Sequence, residues 1–93
     1  YWENYSGTLY SYKQNPTPEN RTKHINELRK IIKKAESKST RVPPGVHAEL
    51  GYMLAIDGDK AAGTSELSKE ASTYPESKTF IERIYIMLGL GEQ

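Results

Sequence analysis

His24 and His47 are the only histidines, and neither stands in a metal-binding helix pattern. No cysteine is present, so a thiol nucleophile, a zinc–thiolate site or a disulfide has no residue to build on. No Gly-x-Ser-x-Gly elbow occurs, and Gly89-Leu90-Gly91 trails a predicted helix where a phosphate-cradling loop would open one. Catalytic residues, metal ligands and cofactors are therefore not expected, and the chain reads as non-enzymatic. Asn4-Tyr5-Ser6 and Asn20-Arg21-Thr22 match the glycosylation sequon by letter, a pattern that matters only in a eukaryotic secreted protein.

What remains is binding chemistry. The formal net charge is only +1, yet it is unevenly spread: Glu19 to Arg41 holds eight basic against three acidic residues, leaving five against nine elsewhere. Arg29, Lys30, Lys33, Lys34 and Lys38 form a basic face that could meet anionic lipid or cell-wall polymer, or simply be solvated. Nucleic acid is not an expected partner, because the aromatic residues lie in a different element. Trp2, Tyr5, Leu9 and Tyr12 recur every three or four positions and make one aromatic helix face, with Tyr10 left outside. That face is expected to pack on the next helix.

The elements that position these residues are all helical. Thr17-Pro18-Glu19 is a helix start, with a hydroxyl at the cap and Pro where its missing N–H does no harm; the helix runs to about Lys38. Its apolar stripe is Ile25, Leu28, Ile31, Ile32 and Ala35. Leu50, Met53 and Leu54 fall on one side of the next helix, which Asp57-Gly58-Asp59 ends before a further helix carrying Thr64, Leu67, Ala71 and Tyr74. After Pro75, Glu76-Ser77 is expected to cap a last helix with the apolar stripe Phe80, Ile81, Ile84 and Leu88, ended by Gly89 and Gly91. Gly51 and Gly63, mid-helix in facing elements, would let two backbones approach closely.

Residues 43–75 resemble one tetratricopeptide repeat. His47 stands in the first large position, Leu50-Gly51 matches outright, Leu54 and Leu67 replace aromatics, Gly63 replaces Ala, and Pro75 matches. Glu70 sits where a small residue is usual, so its carboxylate must lean outward or be paired. The resemblance implies an all-α fold of tetratricopeptide-like antiparallel hairpins, about five helices in a single domain over residues 1–93. Residues 1–42 would form a degenerate first hairpin, 43–75 the best-matching repeat, and 76–93 a capping helix that shields its apolar face. It also implies a partner-binding groove on the inner helix, lined by Ala48, Tyr52, Ala55 and Ile56.

A wider resemblance rests on YWENYSGTLYSY, on RVPPGVHAELGYML and on Tyr74-Pro75-Glu76-Ser77. These segments are similar to those of small bacterial lipoproteins of unknown function. The resemblance implies a secretion signal and lipid-modified cysteine upstream, and an outer-membrane location facing the periplasm. It further implies encoding beside lipoproteins of the curli-secretion-channel type. A first residue of Tyr1 fits a processed N-terminus. The expected function is a cell-envelope scaffold docking a partner lipoprotein or secretion component; the alternative is a surface-association module using the basic helix. A core this thin is also expected to lean on a partner or on homodimerisation.

Overall fold

Thr17 does at the start of its helix what its type and place predict: its side chain accepts the Asn20 amide at 3.1 Å, with Pro18 in the first turn. The helix so begun is α2 (Pro18–Ser37), preceded by α1 (Tyr5–Gln14) and followed by α3 (Val46–Ile56), α4 (Lys60–Thr73) and α5 (Lys78–Leu88). In this computed structural model the described residues are 4–89, and among them there are five helices and no strand. The fold is all-α. Trp2 and Gly91, assigned above to an aromatic face and a helix end, lie outside the described residues. The chain divides into two compact units, Tyr1–Val42 and Pro43–Gln93.

In the first unit α1 and α2 run antiparallel. Among the described residues α1 has none that is fully buried. It is held to α2 by rings and polar groups: Tyr5 lies half-buried with its ring 5.1 Å from that of His24, and the Arg21 guanidinium sits 5.9 Å from the Tyr12 ring centroid. Tyr10 is 66% exposed. The stripe of α2 is buried at Ile25, Leu28, Ile31 and Ala35 and half-buried at Ile32.

In the second unit the turn after α3 is built as its residues dictate. Gly58 takes φ +100°, a left-handed conformation that side chains with a Cβ resist, and the Asp59 carboxylate accepts the Ala62 amide at 3.1 Å to start α4. Antiparallel α3 and α4 then touch backbone to backbone. A Cβ on Gly51 would fall 2.7 Å from the Gly63 carbonyl oxygen, and one on Gly63 would fall 2.8 Å from that of Gly51. Ile81 and Ile84 of α5 complete the core of this unit with Ala48 and Leu67.

Two expectations for α5 need correction. Ser77 does not cap the helix with its side chain: a single 3-10 turn, Pro75–Ser77, runs straight into α5, and the Ser77 hydroxyl turns back to donate to the Tyr74 carbonyl at 2.7 Å. Phe80, placed in the apolar stripe expected to shield the hairpin, is 57% exposed, while Ile81 and Ile84 of that stripe pack into the core with Ala48 and Leu67.

Replacing Gly by Ala inside a helix ordinarily adds about 1 kcal/mol of stability. Here the added carbon meets a carbonyl that cannot move without shifting a helix, and overpacking costs about 1–3 kcal/mol. Gly51→Ala and Gly63→Ala should therefore each lower the urea midpoint, with an unchanged slope. A raised midpoint for either would mean that the helices part without cost.

Candidate functional site

Glu70, the residue that fitted the repeat pattern least, explains how α3 begins. Gly45 stands at the N-cap with φ +92° and has no side chain with which to bind the free amides of the first turn. The Glu70 carboxylate, reaching across from α4, takes that role: Oε1 accepts the Ala48 amide at 3.2 Å and Oε2 the Gly45 amide at 2.9 Å. At 3% exposure it is buried, but it is paired, and it sits where the positive end of the α3 dipole favours an anion. One turn earlier on α4, Glu66 lies 2.7 Å from His47 Nδ1 and 3.3 Å from Lys69 Nζ. The Glu66 carboxylate can only accept, so His47 Nδ1 donates to it, and exposed Lys69 pairs with its other oxygen.

His24 is fully buried, with Nδ1 2.7 Å from the Thr8 hydroxyl. That separation suits a nucleophile and its base, yet the hydroxyl also lies 3.2 Å from the Asn4 and Tyr5 carbonyls. Once its single proton goes to one of these, it can only accept from His24, which makes the pair a helix-to-helix tie. Asn20 of the sequon is likewise engaged, donating its side-chain amide to the Ser11 and Asn15 carbonyls at 3.3 and 2.9 Å. Among the described residues no group of three His, Cys, Asp or Glu side chains is placed to hold a metal ion.

The basic face lies on α2, with Arg29, Lys30, Lys33 and Lys38 exposed and Lys34 half-buried. Lys30 is also 3.7 Å from the buried Glu27 carboxylate, whose other oxygen accepts the Asn4 amide at 3.3 Å.

Of the four groove residues expected from the repeat pattern, Ala48 and Tyr52 line a groove of about 410 Å³ between α3 and α5. Ala55 is turned toward Gly63 of α4, and Ile56 is 39% exposed at the end of α3. The opposite wall is Phe80, Ile84 and Met87, with Gly45 and Glu49 at the α3 side. Sequence reasoning missed this wall, although Phe80, Ile84 and Met87 at i, i+4 and i+7 are one ridge of a helix. Phe80 and Met87 are 57% and 64% exposed, and Ile86 beside them 78%.

Residues 1–84 match the family model DUF4810, a domain of unknown function, and the chain belongs to that family. No curated protein and no solved structure matches it. No helix among the described residues is long and apolar enough to cross a membrane.

Removing the Glu70 carboxylate leaves the buried Ala48 amide and the more exposed Gly45 amide without their charged partner, at about 1.5–3 kcal/mol for the lost bonding. Glu70→Ala should cost about that much in urea unfolding, and Glu70→Gln, which keeps one acceptor oxygen, distinctly less. Equal loss in both variants would show that charge, and not hydrogen-bond acceptance, carries the interaction.

Proposed function

We propose that this member of the DUF4810 family is a non-enzymatic protein-interaction scaffold of the bacterial cell envelope, built from tetratricopeptide-like hairpins, which docks a partner lipoprotein or secretion component. The observation that carries the reading is the groove between α3 and α5, where Tyr52, Phe80 and Met87 line an apolar surface in a chain of only 93 residues. Contiguous exposed apolar patches on small domains mark interaction sites more often than spare core. Leu50-Gly51 and Gly63 at repeat-like spacing support the hairpin type. The RVPPGVHAELGYML segment supports the envelope location and the lipid tether upstream. Docking is static: the hairpin supplies shape, and Tyr52 supplies the anchor.

The rival reading has its own observation, the exposed Arg29, Lys30, Lys33 and Lys38 on α2. A photocrosslinking residue placed in cells at Tyr52, and as control at Lys34, separates the two. The scaffold reading expects one envelope protein, identified by mass spectrometry, captured from Tyr52 and not from Lys34, with capture lost in Met87→Glu. Capture only from Lys34, or of lipid and polymer in place of protein, would transfer the function to the basic face. Association through that face should also weaken steeply with added salt.

A further inference from the structure

The groove restricts what can enter it by chemistry, length and charge. Its walls are the side chains of two helices, Ala48 and Tyr52 on one and Phe80, Ile84 and Met87 on the other, with Glu49 at the edge. Helix walls present no open strand edge, so an extended peptide laid here would leave its own amides and carbonyls unpaired against apolar side chains. A helix satisfies those groups internally. It also suits the shape, since ridges spaced at four residues on two neighbouring helices leave a furrow for the ridge of a third.

Length argues the same way. The helices forming the groove have 11 residues each, which at 1.5 Å per residue gives walls of about 16 Å. A furrow of that length takes about three turns of a helix. It suits a short segment better than a second folded copy. Charge adds direction: Glu49 lines the α3 side, while exposed Arg83, outside the lining, flanks the α5 ridge three residues after Phe80 and four before Met87, so an acidic side chain on the occupant belongs on its α5-facing edge.

Resting on the docking function proposed above, we infer that the occupant is a single amphipathic α-helix of a partner protein. It is about three turns long, apolar at i, i+3 or i+4 and i+7, with an acidic side chain beside that stripe to meet Arg83. The probe is a fluorescein-labelled, hydrocarbon-stapled helical peptide with such a Leu stripe flanked by Glu, titrated against the 93-residue chain by anisotropy. Its controls are a peptide of equal composition with the stripe scrambled and one with Lys replacing the flanking Glu. The striped acidic peptide should bind about tenfold tighter than the scrambled one. Met87→Glu should cost about tenfold, and Arg83→Glu should invert the preference for Glu over Lys; both side chains are exposed, so neither change removes core. Circular dichroism of the variants checks that they stay folded.

The inference is overturned by equal binding of striped and scrambled peptides, by absence of saturable binding at millimolar peptide, or by binding indifferent to Met87→Glu. It is also overturned if sedimentation shows a dimer that Met87→Glu dissolves, since the occupant is then a second copy. Should the peptides fail while Tyr52 still crosslinks one envelope protein, the scaffold reading stands and only the helical occupant is lost. Failure of both removes the groove itself from the function.

Discussion

The contact of α3 with α4 at Gly51 and Gly63 sets the geometry of the second unit. Carbonyl oxygens of each strand of backbone lie where the other's Cβ would be, so the helix axes stand closer than any pair of side chains would allow. Because the helices are antiparallel, moving along α4 from Gly63 runs backwards along α3. Leu67 falls over Gly51, Glu66 meets His47, and Glu70 arrives at Gly45 and Ala48. A glutamate reaches backbone amides across a helix interface only when the backbones are near. The glycine contact and the start of α3 are therefore one piece of architecture, and α3 can begin at a residue that has no side chain of its own to cap it.

The first unit solves the same problem with different materials. Glu27 on α2 is buried and accepts the Asn4 amide at the start of α1, as Glu70 does for α3. Thr8 and His24 meet where Gly51 and Leu67 meet in the second unit, and the same interval of sequence separates each of these three residues of the first unit from its counterpart. Close backbone approach is replaced by a hydrogen bond and a tilted ring pair. That substitution fits the absence of fully buried side chains on α1 among the described residues. Polar ties of this sort contribute less per contact than buried apolar area, but they fix register more narrowly.

Signals that act within three residues were legible without a structure. The caps by Thr17 and Asp59 are of this kind, because a short side chain reaches only its own next turn. Glu70 was legible only as a question, since a carboxylate at a small-residue position must be paired or solvated, and its partners lie on another helix. Ser77 defeated the local reading because the backbone entered α5 through a 3-10 turn, which left a nearer carbonyl for the hydroxyl. For α5 the apolar positions wrap around more of the helix than α3 and α4 can cover. A sequence tells which positions are apolar, and not which edge of the stripe runs out of neighbours. Of the residues that line the groove, the repeat pattern had named Ala48 and Tyr52, and it named none of the α5 wall.

The two walls are not equally firm. Ala48 has its amide held by Glu70 and packs against the α5 core residues, so the α3 wall is fixed from both ends of the same residue. On α5 only Ile81 and Ile84 are buried among the described residues, while Phe80, Ile86 and Met87 contribute little to the core. Fully burying a Phe side chain is worth about 1.5–3 kcal/mol, and Phe80, 57% exposed, leaves part of that gain unrealised when nothing lies in the groove. Local stability follows buried apolar contact, so α5 is the wall that an apolar occupant would firm up. On the proposed docking, binding at this groove and packing of α5 draw on the same buried surface, and a substitution that loosens Ile81, which is buried and outside the groove lining, weakens docking without touching the occupant.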